Sequence, residues 1–129
     1  MEFRRTFLIL ALVLFCETDF SISVKNSAYE LVQGKRVLGD RLLYAEFIYV
    51  PATDGQVTAT RQFMMWPYED GYITMICVLN QKSPGLLTDI VGGVNKRIFG
   101  FKIISQVKHE LYYNFTVFGF RKPLKYRQK

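Results

Sequence analysis

The side chains that could do chemistry in this chain are one histidine, two cysteines and eleven scattered carboxylates. The sequence contains no G-x-S-x-G, P-loop, H-E-x-x-H or C-x-x-C motif, so none of these patterns assembles a nucleophile, a phosphate-binding loop or a zinc site. The adjacent carboxylates of Glu69 and Asp70 fall in a predicted turn, where solvation explains them better than catalysis. We therefore predict a protein that is not an enzyme and that uses no metal, cofactor or small-molecule substrate.

The two cysteines and the single histidine limit the chemistry further. Cys16 lies in an N-terminal segment that we expect to be removed, which leaves Cys77 as the only thiol of the mature chain. Apolar neighbours on both sides of Cys77 favour a buried, inert thiol over an intermolecular disulfide in a homodimer. A catalytic thiolate is the least favoured alternative, because His109 has no sequence relation to Cys77.

The chain has one N-glycosylation sequon, Asn114-Phe115-Thr116. Because side chains alternate along a strand, Asn114 and Thr116 share one face and Phe115 takes the other. With Phe115 in the core, Asn114 is expected to point outward, where a glycan could reach it. Asn114 is therefore a candidate glycosylation site, and the alternative is that folding buries it before a glycan is transferred.

Basic residues concentrate at the C-terminus. Removal of residues 1–23 leaves 15 Lys and Arg against 8 Asp and Glu, a net charge of +7, and five of these charges lie in residues 121–129. The cations that could contact an anionic partner are Arg121, Lys122, Lys125, Arg127 and Lys129. Since little apolar surface is present to dock this segment, we expect a mobile tail after the last strand.

Residues 1–23 have the layout of a secretory signal peptide. A charged start precedes the apolar run FLILALVLF at residues 7–15, and Ser21 and Ser23 supply the small residues that signal peptidase requires. The run is far shorter than the roughly 20 residues that cross a bilayer, so we expect no transmembrane span. The alternative is an amphipathic or buried helix at the N-terminus of a cytosolic domain. This alternative is disfavoured because the apolar run has no polar face to offer water. We predict an extracellular protein, cleaved between residues 16 and 24.

Residues 24–120 are predicted to form one all-β domain. They are rich in aromatic and β-branched residues and contain no convincing helical stripe. Turn residues separate seven candidate strands, at residues 29–32, 41–50, 57–66, 72–79, 86–91, 98–105 and 112–120. We therefore predict a small antiparallel β-sandwich or barrel of about seven strands after a cleaved signal helix. A barrel around a small ligand is disfavoured, because so short a chain fills its interior with side chains.

Alternation along these strands also predicts which side chains form the core. The expected core residues are Leu43, Ala45, Phe47, Tyr72, Ile76, Val78, Phe99, Phe101, Ile103, Phe115 and Val117. Six aromatic residues cluster near the C-terminus, namely Tyr112, Tyr113, Phe115, Phe118, Phe120 and Tyr126. Stacking on nucleic-acid bases would explain such a cluster next to basic residues, but cross-strand core pairs are favoured.

Three segments, in this order, carry a resemblance to a known family. Gly39-Asp40-Arg41-Leu42-Leu43-Tyr44 comes first, an I-T-x-I strand that leads to the pair Gly92-Gly93 comes second, and Asn114-Phe115-Thr116-Val117-Phe118-Gly119 comes last. Together, over roughly residues 29–120, they resemble the small arthropod family named after multiprotein bridging factor type two. The residues that carry the resemblance are Gly39, Asp40, Arg41, Gly92, Gly93, Asn114, Phe115 and Gly119.

The resemblance implies a signal peptide, a compact β domain and no enzymatic activity. Many members of the family are labelled salivary or haemolymph secreted peptides, whereas the founding member was described as a transcriptional co-activator that bridges another factor to the general transcription machinery. We expect a secreted protein that acts by binding a protein or an anionic extracellular surface. The nuclear co-activator is the alternative, and the export signal disfavours it.

Overall fold

The computed structural model describes residues 25–26 and 28–123, which form eight strands in two antiparallel sheets. The strands are β1 (Lys25–Asn26), β2 (Leu31–Gly34), β3 (Arg41–Val50), β4 (Thr58–Met64), β5 (Glu69–Asn80), β6 (Leu86–Gly92), β7 (Ile98–Ile104) and β8 (Leu111–Pro123). The described residues include no helix that could span a membrane. The predicted signal segment, residues 1–23, lies outside the described residues.

The two sheets pack face to face around one main core. The larger sheet has the strand order β1-β2-β5-β8-β3, and the smaller one has the order β4-β7-β6. Side chains from both sheets form a single buried cluster, because alternate positions on each inner face are apolar. The prediction of an all-β antiparallel fold is therefore confirmed, in the form of a sandwich.

Most of the predicted core residues are buried in this cluster. The correct ones are Leu43, Ile76, Val78, Phe99, Phe101, Ile103, Phe115 and Val117. Phe115 lies at the centre, with its ring centroid 4.9 Å from that of Phe101 and 5.9 Å from that of Phe99. Rings at such distances contribute beyond the area that they bury.

The prediction for strand β3 is wrong after its third residue. A register shift between Leu42 and Tyr44 inserts one extra residue opposite β8. Such a β-bulge exchanges the faces of all later residues in the strand. Ala45 and Phe47, which were predicted in the core, are only partly buried, and Ile48 is fully buried in their place.

A second bulge explains the third wrong core residue. Strand β5 shifts register between Ile73 and Met75. As a result Ile73 is fully buried, while Tyr72, which was predicted in the core, is 42% exposed. Both bulges lie opposite residues 117–119 of β8, so the two neighbours of this central strand are distorted at the same level.

The last strand is longer than predicted. Instead of ending near Gly119, β8 continues to Pro123, and its final residues pair with Glu69–Gly71 at the start of β5. Gly71 permits this close approach, because a Cβ atom there would lie 1.8 Å from the carbonyl oxygen of Phe120. Arg121 and Lys122 are therefore strand residues rather than part of a tail. The remaining basic positions, at 125, 127 and 129, lie outside the described residues.

A charged cluster joins the two sheets at one edge of the core. The Tyr44 hydroxyl donates to Glu46 Oε1 at 2.7 Å, and Arg61 Nε of β4 donates to Glu46 Oε2 at 2.7 Å. Burial, reinforced by the hydrogen bond to Glu46, raises the pKa of Tyr44 to about 12. The Tyr44 phenol therefore stays neutral and keeps donating to Glu46 at physiological pH.

Candidate binding site

Asp40, one of the residues that carry the family resemblance, is a structural anchor. Its side chain is 1% exposed and accepts hydrogen bonds from Arg36 Nε at 2.8 Å, Val37 N at 2.8 Å and Thr74 Oγ1 at 2.7 Å. Arg36 also places its guanidinium carbon 4.2 Å from the centroid of the Phe118 ring. Because Thr74 lies in the bulge of β5, Asp40 ties the loop at residues 35–40 to that bulge.

The glycine pair of the resemblance forms a hairpin turn, as predicted. Gly92 has a φ of 73°, and a Cβ atom there would lie 1.9 Å from the carbonyl oxygen of Ile98. The backbone N–H of Gly93 donates to that same carbonyl at 2.9 Å. The pair therefore shapes the connection between β6 and β7. Phe115 and Gly119 are likewise strand residues of β8.

The predicted glycosylation site is buried. Asn114 and Thr116 lie on the face of β8 opposite Phe115, as expected, but they are only 5% and 2% exposed. Asn114 Oδ1 and Thr116 Oγ1 are buried without a hydrogen-bond partner. The expectation that Asn114 points outward to solvent in the folded domain is therefore wrong.

Cys77 is buried as predicted but is not a free thiol. It is 1% exposed and packs with Val32, Met75 and Phe118 in a second apolar cluster. Its sulfur is disulfide-bonded, which corrects the expectation of an unpaired, inert thiol. The other cysteine of the chain, Cys16, lies outside the described residues, and removal of residues 1–23 would leave the mature chain only the intermolecular disulfide, the second alternative above, as a way to keep Cys77 paired.

The described residues bring together no set of side chains that could bind a metal ion. No group of three or more His, Cys, Asp or Glu side chains among them could hold a metal ion. His109 Nδ1 lies 3.2 Å from Ser83 Oγ, which sequence reasoning missed, but this contact is exposed between two loops. Within the described part, no carboxylate hydrogen-bonds the other ring nitrogen, so the pair lacks the third group that orients a catalytic histidine.

A groove lies where the start of β5 pairs with the end of β8, and we call it the end groove. It has a volume of about 450 Å³ and is lined by Gly39, Arg41, Asp70, Gly71, Tyr72, Phe120, Arg121 and Lys122. Three of these residues are cations, one is a carboxylate and two are aromatic. The structure therefore brings the basic residues at the start of the predicted tail together with two residues of the family resemblance.

Two aromatic rings form the apolar part of the end groove. The ring centroids of Tyr72 and Phe120 are 5.2 Å apart, and the two residues pair directly across β5 and β8. A Cβ atom at Gly39 would come within 3.3 Å of Cε1 of Phe120, so the loop backbone packs against this ring. Sequence reasoning missed both rings as site residues, because it placed Tyr72 in the core.

The charges of the end groove are only partly neutralised. Arg121 Nε lies 3.6 Å from Glu69 Oε1, and Arg97 Nη1 lies 4.0 Å from Asp70 Oδ1. Arg41 and Lys122, in contrast, form no ion pair within residues 28–123. Beside the exposed Tyr72 ring and the partly buried Phe120 ring, the groove therefore offers two cations that have no ion-pair partner among the described residues, which suits an anionic ligand with an apolar face.

The fold and this groove define a small antiparallel β-sandwich domain with an aromatic and basic surface at one end. A family model described as transcription activator MBF2 matches residues 33–119. The chain belongs to this family, which confirms the resemblance drawn from the sequence. No curated protein and no solved structure is significantly similar to the chain. The matched span includes five of the residues that line the end groove and stops just before Phe120, Arg121 and Lys122.

Proposed function

We propose that this protein is exported, is not an enzyme, and acts by binding an extracellular partner at the end groove. The observation that carries the proposal is the exposed Tyr72 ring, packed on the partly buried Phe120 ring, beside Arg41 and Lys122, which form no ion pair within residues 28–123. An exposed aromatic surface next to unneutralised charge favours recognition of a partner over a purely structural role. The N-terminal sequence supports the extracellular location.

A transcriptional co-activator is the second candidate function. The description of the matching family model, transcription activator MBF2, favours it. A co-activator of the general transcription machinery must reach the nucleus with its N-terminus intact or processed in the cytosol. The two candidates therefore differ in where the protein accumulates and in its first residue.

Export is tested by expressing the full chain, with its own N-terminus, in cultured insect cells. We expect the protein in the medium, with its first residue between 17 and 24, because the apolar run at residues 7–15 has the length and flanks of a signal peptide. N-terminal sequencing of the purified protein is the measurement. As a control, a Leu10→Arg, Leu12→Arg variant interrupts the run and should stay inside the cells. Protein that keeps Met1 and accumulates in nuclei would favour the co-activator instead.

A further inference from the structure

The five-stranded sheet is also apolar on the face turned away from the three-stranded sheet, which we call the outer face. The residues of the second apolar cluster lie here, namely Val32, Met75, Cys77 and Phe118, with Leu42 and Leu79 packed against them. All six belong to the five-stranded sheet, so within residues 28–123 the smaller sheet contributes nothing to this cluster. Arg36 of the neighbouring loop lies over Phe118 at one end. An apolar face that its own domain leaves largely uncovered is typical of an interaction surface.

The bonding of Cys77 indicates what meets the outer face. Its sulfur is disulfide-bonded, and its side chain is 1% exposed. The chain has one other cysteine, Cys16, which belongs to the N-terminal segment that the proposed export removes. In the mature protein, the cysteine that pairs with Cys77 within this protein is therefore the Cys77 of a second copy.

Two buried polar groups beside Cys77 point to a partner as well. Thr116 pairs with Cys77 across β5 and β8, and Asn114 pairs with Leu79, so both polar side chains lie on the outer face. They are 2% and 5% exposed, and Thr116 Oγ1 and Asn114 Oδ1 have no hydrogen-bond partner among the described residues. A hydroxyl and an amide each carry donors and acceptors, so the same two groups on a second copy complement them.

The shape of the outer face allows a disulfide between two sheets. The strand register places four side chains side by side at the level of Cys77, namely Val32, Cys77, Thr116 and Ala45. None of these is larger than valine. Bulkier side chains occupy the rows on either side, namely Met75 with Phe118, and Leu79 with Phe47. Packed sheets lie about 10 Å apart, whereas a disulfide needs Cα atoms within about 7 Å, so the low row at Cys77 lets two copies approach closely enough.

We propose that two copies of the mature protein pair through their outer faces and are linked by a Cys77–Cys77 disulfide. Strand β5 is the middle strand of the five, so a twofold axis near Cys77 sets one outer face against the other. The three rows contain no charged residue, so two copies meet there without burying like charges, although the mature chain has a net charge of +7. This inference rests on the proposed export, because cleavage removes Cys16.

Formation of the bond needs an oxidant, which is the disulfide of a thiol–disulfide exchange protein in the secretory pathway. One Cys77 thiolate attacks that disulfide and forms a mixed disulfide, and the Cys77 thiolate of the second copy then displaces the exchange protein. The two Cys77 thiols together lose two protons and two electrons and gain one S–S bond. The disulfide of the exchange protein is reduced to two thiols.

The test uses the full chain, expressed in cultured insect cells and collected from the medium into N-ethylmaleimide, which blocks thiol exchange. We expect non-reducing electrophoresis to show a band at about twice the mass of the mature chain, which dithiothreitol converts to monomer. Peptide mass spectrometry should identify the Cys77–Cys77 link. Mature monomer with Cys77 as a thiol, or capped by glutathione, would overturn the proposal and leave the export result intact. Monomer that retains a Cys16–Cys77 bond would overturn both the dimer and the cleavage.

A pair of lysine variants tests whether the outer face forms the interface. Leu79→Lys should lower the ratio of linked dimer to monomer at least about tenfold, because each copy would bury an unpaired ammonium group. The matched control, Met64→Lys, places the same charge at a position of the three-stranded sheet that is 58% exposed, and should dimerise within about twofold of the parent. Equal dimer fractions in the two variants would overturn the outer face as the interface. Circular dichroism verifies folding, and Phe47→Lys replaces Leu79→Lys if that variant is unfolded.

Discussion

Replacing Phe115 by alanine is expected to lower the free energy of unfolding by about 3–5 kcal/mol. The Phe115 side chain is fully buried at the centre of the main core, and its ring contacts those of Tyr44, Phe99 and Phe101. The substitution leaves a cavity between the two sheets, which the rigid strands on either side can close only in part. For a domain of this size the loss is a large part of the total stability. Urea denaturation monitored by circular dichroism measures it.

A matched substitution shows whether the effect comes from burial. Tyr49→Ala removes a similar ring from the same sheet at a position that is 54% exposed and that contacts one ring, Tyr112, at 6.0 Å, so it should change the unfolding free energy by about 1 kcal/mol or less. If Phe115→Ala unfolds at the same urea concentration as the parent, Phe115 is not in the core and the register of β8 is shifted by one residue.

The second large effect is expected at Asp40. Replacing Asp40 by alanine should cost about 3 kcal/mol, because the substitution leaves the buried hydroxyl of Thr74 and the backbone N–H of Val37 without their acceptor. Arg36 also loses its ion-pair partner, although its own partial exposure lets water compensate some of that loss. Denaturant unfolding again provides the measurement.

An exposed aspartate provides the control for the Asp40 substitution. Asp54 lies exposed in the turn between β3 and β4, and Asp54→Ala should leave the unfolding free energy within about 0.5 kcal/mol of the parent. Equal stability of the Asp40 and Asp54 variants would show that Asp40 does not anchor the loop at residues 35–40. It would also weaken the account of the end groove, since Gly39 and Arg41 flank this anchor.

The sequence predicted the strands well because alternation of apolar and polar residues is a local signal. It could not predict the two bulges, because an extra residue in β3 or β5 becomes visible only against the register of β8. The error at Tyr72 follows directly, since one inserted residue moves this ring from the predicted core to the end groove. The bulge in β5 that places Tyr72 in the end groove is therefore also the reason that sequence analysis did not identify this site.

Two other features depend on contacts between distant residues. Asp40 receives one of its hydrogen bonds from Thr74, which is 34 residues away, so its role as an anchor has no local signal. The segment after Gly119 looked like a tail because it is basic and contains a proline. Backbone pairing with the start of β5 nevertheless keeps Arg121 and Lys122 in a strand, and this pairing does not depend on apolar side chains.

The most direct test of the central claim compares two exposed tyrosines on the five-stranded sheet. Tyr72 pairs with Phe120 and Tyr49 with Tyr112, so the two rings lie about 27 Å apart along β8, at about 3.4 Å per residue. Labelled protein from culture medium is added to intact cells, and the bound fraction is measured.

The account predicts that Tyr72→Ala weakens binding to the cells about fivefold, in line with the loss of one aromatic contact, whereas Tyr49→Ala binds like the parent. Equal binding by both variants would contradict the claim that the protein recognises its extracellular partner at the end groove.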